Sequence, residues 1–257
     1  MTWCLGRRLP RFLSAPLFGD RQRYGLDIQP DDPCWQAWQR SLLQFYEQTQ
    51  KRSAGKLVND AGYRVMDWLD LSGRSVLEIG PGHLSHHRWW RGRPESYALA
   101  DINPDMLTAS QATLTALGVP HEAHLFAGTA ESLAVLPDCS VDVIATFYSL
   151  EHLRPLEAHL DQWTRLLRPG GHLIGAIPAE GGLAWGLGRY LTSRRWLKRN
   201  TTINPDKIIC WEHCNFADDI ITALDARFER VRIQWWPLRL PVPDLELVAR
   251  FLYRRRP

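Results

Sequence analysis

A short apolar run that ends in a glycine-rich turn constrains the fold of this chain more than any other feature. Residues 75–79 read SVLEI, and Gly80-Pro81-Gly82 follows directly. A strand buried in a parallel sheet has this form, because both of its faces are covered and the chain turns sharply where the strand ends. The pattern therefore predicts the first strand of a parallel sheet.

Similar runs recur along the chain, and amphipathic stretches separate them. Strands are predicted at 75–79, 97–100, 124–127, 141–147, 172–177, 228–236 and 246–253, and helices at 85–91, 104–117, 156–167 and 217–224. Strands that alternate with helices form parallel sheets with helices on both faces. No helix fits between the last two strands, so we expect an antiparallel C-terminal hairpin. The predicted fold is α/β, with a mostly parallel seven-stranded sheet.

Two segments flank the predicted sheet. Before it, helices are predicted at 34–50 and 54–69, and the first carries an apolar stripe of Trp38, Leu42, Phe45 and Tyr46. We predict that residues 1–70 form an N-terminal helical extension that covers the active site. Residues 71–257 are then the main domain.

Residues 180–215 are rich in Gly, Trp and Arg and have no clean period. We predict that they form a lid insertion on the substrate side of the sheet. Of the 12 Trp in the chain, nine lie outside residues 72–178, four before them and five after them. A Trp side chain offers a large apolar face and one donor, which suits a substrate wall, a membrane-facing rim or the packing of appendages.

Composition excludes several classes of protein. A net charge of +3 is weak for a nucleic-acid binder, and no apolar run is long enough to span a membrane. The five Cys are odd in number and scattered, so we expect a reducing cytoplasm. We expect no metal site, because the Cys210–Cys214 segment has no evident second pair of ligands and the group of His83, His86 and His87 has no carboxylate at a fixed offset. These groups are interpreted as buried thiols and a polar helix start.

The turn after the first strand has the features of a nucleotide site. Glu78 precedes Gly80 and Gly82, and Asp101 ends the next predicted strand. Glycine lets the backbone approach a ligand closely, and a carboxylate at this position accepts both hydroxyls of a ribose. A dinucleotide fold would need a third glycine where Ser85 stands. An NAD-dependent oxidoreductase is therefore the weaker alternative.

The series of motifs resembles the class I S-adenosylmethionine-dependent methyltransferases, in particular the small-molecule branch that includes enzymes of ubiquinone and menaquinone biosynthesis. The similar stretches are VLEIGPG, LADINPDML, GTAESL, SLEHL and LLRPGGHL, in that order within residues 72–178. The resemblance implies a Rossmann-like fold and S-adenosylmethionine as the cofactor.

The resemblance also implies roles for individual residues. Glu78 would hold the methionine amino group through water, while Gly80 and Gly82 would line the amino-acid tail. Asp101 would bind the ribose hydroxyls, and Ile102 would pack on the adenine.

Three further positions would complete the cofactor site by the same resemblance. Ala130, through its backbone, and Thr129 would meet the adenine edge. The family commonly has Asp where this chain has Thr129, and a hydroxyl can still accept a hydrogen bond there. Phe147 would lie near the transferable methyl group.

Candidates for catalysis follow the fourth and fifth predicted strands. A hydroxyl nucleophile benefits from a base tuned near neutral pH, and His is the usual choice. We predict His152 first, with Glu151 and Glu180, and we also consider Tyr148 and His213. Glu180 is expected to point toward the substrate opening. One ubiquinone-pathway branch has a metal triad at this point, but Tyr148 stands where its first acid would be.

The predicted function is methyl transfer to a small biosynthetic acceptor, such as a hydroxyl of a saccharide, quinone or lipid-linked intermediate. The alternatives are the oxidoreductase and a methyltransferase that acts on RNA. No nucleic-acid partner is expected. The aromatic and basic segment 184–198 could hold an anionic substrate or touch a membrane surface, or it could be a solvated lid helix.

Overall fold

The structure is a computed structural model that describes residues 3–45, 53–126 and 128–257. Within them the strands are β1 (Ser75–Ile79), β2 (Ser96–Asp101), β3 (His121–Leu125), β4 (Val141–Phe147), β5 (Leu167–Pro178), β6 (Phe228–Trp236) and β7 (Val248–Arg255). They form one seven-stranded sheet in the order β3-β2-β1-β4-β5-β7-β6. The first five strands are parallel, and β7 is antiparallel to both β5 and β6. The predicted fold class is confirmed.

The α-helices are α1 (Arg11–Phe18), α2 (Arg21–Tyr24), α3 (Pro33–Phe45), α4 (Ser53–Tyr63), α5 (Pro104–Ala116), α6 (Leu156–Leu166), α7 (Leu183–Leu191), α8 (Ser193–Asn200), α9 (Pro205–Glu212) and α10 (Ala217–Arg227). Short 3-10 helices lie at Gly6–Arg8, Arg64–Trp68, Ser85–Trp89, Ala130–Leu133 and Pro243–Leu245. Two buried clusters, one on each face of the sheet, join the helices to it. The first includes Trp163 of α6, and the second includes Leu114 of α5.

The predicted strand bounds are met in three strands and differ most at β3 and β5. The bounds of β1, β4 and β6 are those predicted, whereas β3 begins three residues before the expected start and ends at Leu125. Strand β3 lies at the sheet edge with none of its residues fully buried, so its apolar signal is weak. Position 127 lies outside the described residues. Strand β5 begins at Leu167, which pairs with Val141 across an irregularity in the ladder.

The flanks differ more from the prediction. The segment without a clean period contains three helices, α7 to α9, and their inward faces carry buried Arg189 and Arg194. Charged residues on an inward face remove the apolar periodicity that sequence patterns detect. The helix expected over 54–69 ends at Tyr63 and continues as a 3-10 helix. The helix expected over 34–50 is described to Phe45; Tyr46 and the side chains of Leu42 and Phe45 lie outside the description.

Tryptophans join the two flanks to each other. Trp35 of α3 packs edge to face on Trp211 of α9, with ring centroids 6.3 Å apart. Trp38 donates its indole N–H to Glu212 at 2.7 Å, and Trp211 donates to the carbonyl of Tyr24 at 3.2 Å. These residues pack the N-terminal extension onto the segment after β5.

Candidate active site

The turn after β1 depends on glycine. Gly80 and Gly82 have φ angles of +68° and +55°, in the left-handed region. A Cβ on Gly80 would lie 2.3 Å from Oγ of Ser149, so a side chain there cannot be accommodated without movement. The backbone N–H of Gly80 donates to the carbonyl of Ala100 in β2 at 2.8 Å. The bare backbone of the turn therefore lies beside the carboxyl end of β2.

Asp101 ends β2 at this edge, and the turn contacts it. Its carboxylate accepts hydrogen bonds from the backbone N–H of Asn103 at 2.9 Å and of Gly82 at 3.4 Å. Burial raises the pKa of Asp101 above its ordinary value, although these donors act in the opposite direction. Each carboxylate oxygen has a second lone pair, so Asp101 retains acceptor capacity for ribose hydroxyls. The residues present fit the nucleoside end of S-adenosylmethionine.

Glu78 has partners inside the protein. Its side chain is fully buried, and its two oxygens accept hydrogen bonds from Nε2 of His86 and from the hydroxyl of Tyr97, each at 2.7 Å. His86 in turn accepts a hydrogen bond at Nδ1 from the indole of Trp90 at 3.0 Å. His86 lies at the start of the 3-10 helix Ser85–Trp89, in agreement with the interpretation as a helix start, but its ring is buried. It is a buried partner of the acid before the glycine turn.

Aromatic rings surround this network. Phe147, at the end of β4, lies 4.6 Å from the His86 ring and 5.2 Å from the Tyr63 ring, centroid to centroid. Trp90 stacks on Tyr97 with centroids 5.2 Å apart. An apolar wall therefore lines the sheet face next to Glu78. No sequence motif identifies the other members of this wall, which are Tyr63, His86, Trp90 and Tyr97.

The residues predicted to contact adenine also lie together. Ile102 follows Asp101 and is 65% exposed, an unusual position for a large apolar side chain. A Cβ on Gly128 would lie 3.9 Å from Cγ2 of Ile102, so the loop that leads into Thr129 and Ala130 is its neighbour. Ala130 is buried, whereas Thr129 is exposed and its hydroxyl lies 3.2 Å from that of Ser132.

His152 lies near the same edge, after β4. Its Nδ1 bonds to the carbonyl of Glu212, which can only accept, so Nδ1 carries the proton and Nε2 has the free lone pair. Nε2 lies 3.8 Å from Oε1 of Glu151, and the side chain is 36% exposed. Burial lowers the pKa of His152, but the charges of Glu151 and Glu212 outweigh it and raise that pKa above its ordinary value.

Glu151 is a buried carboxyl with spare bonding capacity. The residue is 2% exposed, and its Oε2 has no hydrogen-bond partner among the described residues. Burial raises the pKa of Glu151 to about 7, although the neighbouring His152 lowers it. A carboxyl group with this pKa exchanges its proton near neutral pH.

The position of Glu180 differs from the one expected. It is fully buried rather than directed toward an opening, and it accepts hydrogen bonds from the guanidinium of Arg189 and from the indole of Trp185 at 2.9 Å. Burial alone would raise its pKa, but Arg189 and the hydrogen bond from His213 hold the pKa far below the ordinary value. A carboxylate held so firmly in the charged form is a poor proton acceptor.

His213 and Tyr148, the two lesser candidates, are also engaged. Nδ1 of His213 lies 3.1 Å from the Glu180 carboxylate, and burial together with Arg189 lowers its pKa to about 3. The His213 ring lies 4.9 Å from that of His152. Tyr148 donates its hydroxyl to the carbonyl of Val58 at 2.8 Å. Of the predicted candidates, His152 and Glu151 follow β4 at this edge of the sheet, and each keeps a lone pair without a hydrogen-bond partner among the described residues.

No helix within the described residues is long and apolar enough to cross a membrane. Those residues also contain no group of three or more His, Cys, Asp or Glu that could hold a metal ion. Cys210 and Cys214 are buried, and Sγ of Cys214 lies 3.4 Å from the carbonyl of Glu151.

Comparison with known sequences agrees with the geometry. Residues 77–175 match the family model described as a methyltransferase domain. Malonyl-[acyl-carrier protein] O-methyltransferase from Serratia marcescens is 28% identical over 132 residues, which are 51% of this chain and 49% of that protein. The chain thus spans about half the length of the curated relative that it matches.

Solved structures share the fold. The CurJ carbon methyltransferase has a TM-score of 0.56 and 16% identity, covering 98% of this chain and 66% of that one. The N-methyltransferase NodS from Bradyrhizobium japonicum, solved with S-adenosyl-L-homocysteine, has a TM-score of 0.50 and 16% identity, covering 93% and 98%. At these identities the likeness concerns the fold alone.

Proposed function

We propose that this protein, whose residues 77–175 match the family model of a methyltransferase domain, is a class I S-adenosylmethionine-dependent enzyme that transfers a methyl group to a hydroxyl of a small biosynthetic acceptor. The acceptor class is a saccharide, a quinone or a lipid-linked intermediate. The observation that carries the choice of a hydroxyl is the free Nε2 lone pair of His152 beside the carboxyl of Glu151.

The cofactor site uses backbone and side chains at the carboxyl ends of β1, β2 and β4. Gly80 and Gly82 leave room for the amino-acid tail, Asp101 accepts from the ribose, and Ile102 offers an apolar face to the adenine. Phe147 and the rings next to it exclude water on one side. When bound, S-adenosylmethionine supplies a methyl group on a sulfonium, whose leaving group is already good. The chain has therefore chiefly to align the acceptor and keep water out.

His152 is the proposed general base. The carbonyl of Glu212 fixes the tautomer, so Nε2 can take the proton of an acceptor hydroxyl. Once protonated, the imidazolium lies near the carboxyl of Glu151, and negative charge on that carboxyl stabilises it. Glu180 is proposed as a positioning residue, because its bonds to Arg189 and His213 hold the segment that faces His152.

The two flanks are proposed to close the site. Arg21, in the N-terminal extension, donates to the carbonyls of His213 at 2.6 Å and Cys214 at 3.0 Å. These residues follow α9, whose Glu212 fixes His152. The extension over 1–70 therefore supports the 180–215 segment against the proposed base, which is the arrangement expected of a cover and a lid.

The surface next to α7 supports an acceptor that resides at a membrane. Leu187, Tyr190 and Leu191 share one exposed face of α7, at i, i+3 and i+4. Helix α8 packs on α7 and exposes Arg195 and Lys198. Apolar side chains beside cations bind the interface of an anionic bilayer. We propose peripheral contact through this face, here called the α7 face.

The experiment that tests the function is a transfer assay with labelled S-adenosylmethionine. The protein is incubated with hydroxylated saccharides, quinols and lipid-linked sugars, and label in the acceptor is measured for the native protein and for His152→Gln. We expect label on a hydroxyl oxygen and a rate about 100-fold lower in the variant, the usual contribution of a general base. Label on nitrogen or carbon, or an equal rate in the variant, would overturn the assignment.

A further inference from the structure

Among the described residues, a buried arginine on β7 has no counter-ion. Arg250 is 7% exposed and donates to the side chain of Gln234 on β6 at 2.6 Å. Its Nε is buried and has no hydrogen-bond partner within the described residues. A guanidinium removed from water without a compensating anion destabilises the protein, so such a group calls for an explanation.

Three other arginines lie around it. Burial and the positive charges of Arg239, Arg232 and Arg64 together lower the pKa of Arg250. Two of these four arginines lie over the indole ring of Trp68. The Arg232 guanidinium lies 4.0 Å from the ring centroid, and the Arg250 guanidinium lies 5.8 Å from it.

These four residues, the arginine cluster, come from three elements: the 3-10 helix after α4, β6 with the loop that follows it, and β7. In the parts of the chain that the structure describes, none of the four forms an ion pair with a carboxylate. Other surface arginines do form such pairs, as Arg230 does with Asp225. As far as the described residues extend, the cluster is thus a concentration of positive charge without carboxylate partners around one buried guanidinium.

The cluster faces the same side of the sheet as the proposed methyl-transfer site. Phe147 pairs with Ala176 in β5, and Ala176 pairs with Arg250 in β7, so all three side chains lie on one face in adjoining strands. Two strand spacings, about 10 Å, separate the backbones of Phe147 and Arg250. A groove of about 330 Å³ at the β6 edge is lined by residues that include Arg232, Gln234 and Arg239.

We propose that the arginine cluster binds a phosphate or diphosphate group of the acceptor. Guanidinium groups bind phosphate oxygens through paired hydrogen bonds, and several cations suit a multiply charged group better than a single carboxylate. The link to the acceptor rests on the proposed function, whereas anion binding does not. An acceptor held at the cluster would extend along the sheet face toward Phe147.

Inorganic pyrophosphate is the probe, titrated at constant ionic strength into the full chain and followed by calorimetry and thermal unfolding. Variants Arg232→Gln and Arg239→Gln alter exposed members, so they leave the buried guanidinium in place. The matched control is Arg93→Gln, an exposed arginine that precedes β2 and has no proposed role in binding. S-adenosyl-L-homocysteine is titrated into every variant in parallel.

We expect saturable stabilisation of the native protein by pyrophosphate, with affinity reduced at least about tenfold in each cluster variant and unchanged in the control. Affinity for S-adenosyl-L-homocysteine should be the same throughout. Absence of saturable binding, or an equal loss in Arg93→Gln, would overturn the anion site. Failure to bind S-adenosyl-L-homocysteine with pyrophosphate binding intact would instead reject the proposed function and leave the anion site standing.

Discussion

The indole N–H of Trp90 donates to Nδ1 of His86 at 3.0 Å, and this bond decides where the imidazole carries its proton. An indole can only donate, so Nδ1 accepts and Nε2 holds the hydrogen that it donates to Glu78. His86 is therefore fixed as the neutral Nε2–H tautomer. Trp90 therefore helps to orient Glu78 through His86, without a hydrogen bond to Glu78 itself.

Replacing that indole should weaken the cofactor site. Trp90→Phe keeps the stacking on Tyr97 but frees Nδ1 of His86, so Glu78 loses its fixed donor. We expect affinity for S-adenosyl-L-homocysteine to fall about fivefold, the equivalent of one net hydrogen bond of about 1 kcal/mol. Calorimetry measures the affinity, and ¹⁵N NMR of the imidazole reports the tautomer. The control is Trp89→Phe, because Trp89 donates no hydrogen bond to a described residue. Equal populations of the His86 tautomers in the native protein and in Trp90→Phe would contradict the role of Trp90 in fixing the tautomer.

The pH dependence of transfer should depend on Glu151. A base must be unprotonated, and the charges of Glu151, Glu180 and Glu212 raise the pKa of His152, while burial lowers it. The plot of kcat/KM against pH should therefore have an ascending limb, and its midpoint should lie above the ordinary pKa of histidine. Glu151→Gln removes one negative charge and should move this limb to lower pH. The profile of kcat/KM between pH 5 and 9 measures it. The limb belongs to the coupled pair rather than to one residue. A limb at the same pH in the variant would rule out the coupling.

Arg189 should support the fold through Glu180. Arg189→Met leaves a fully buried carboxylate without its main partner, and we expect unfolding free energy to fall by about 3–5 kcal/mol. The folded pKa of Glu180 is depressed below the ordinary 4.5. Its contribution is therefore fully present above pH 4.5 and is lost as the pH falls below that value. Denaturant unfolding at pH 7 and pH 4 measures both effects.

The control for that loss is Arg195→Met, on the exposed surface of α8, which should change stability by no more than about 0.5 kcal/mol. An equally small loss of unfolding free energy in Arg189→Met and Arg195→Met would mean that the buried pair contributes nothing to the stability of the fold.

The α7 face should bind anionic vesicles. Leu187→Ser combined with Leu191→Ser removes two exposed apolar side chains, each worth about 1.5–3 kcal/mol when fully buried. We expect sedimentation with phosphatidylserine-containing vesicles to weaken at least about tenfold. Val135→Ser, exposed elsewhere, is the control. Equal binding by the double variant and the control would remove the α7 face as the contact.

Local patterns predicted the sheet and the glycine turn. An apolar run between turn residues specifies a buried strand wherever it occurs, so β1 and β4 were placed to the residue. Asp101 was found because it ends a strand next to such a turn, and parallel strands carry their carboxyl ends to one edge. These signals need no knowledge of distant contacts.

Contacts between distant segments were not predictable in this way. Glu78 meets Tyr97 only because β1 pairs with β2, and Arg250 meets Trp68 only because the turn after α4 covers β7. Glu180 follows a strand at the expected edge, yet Arg189 on the next helix turns it inward. No pattern along the chain encodes these pairings, since each depends on how the elements pack.

Calorimetric titration of S-adenosyl-L-homocysteine into the native protein and into Asp101→Asn tests whether the β1 turn and Asp101 form an S-adenosylmethionine site. The native protein should bind S-adenosyl-L-homocysteine and not NAD. The variant should bind it at least about tenfold more weakly, because a charged acceptor contributes about 1.5–3 kcal/mol to its hydrogen bonds. No binding by the native protein, or equal affinity in the variant, would mean that the β1 turn and Asp101 do not hold this cofactor.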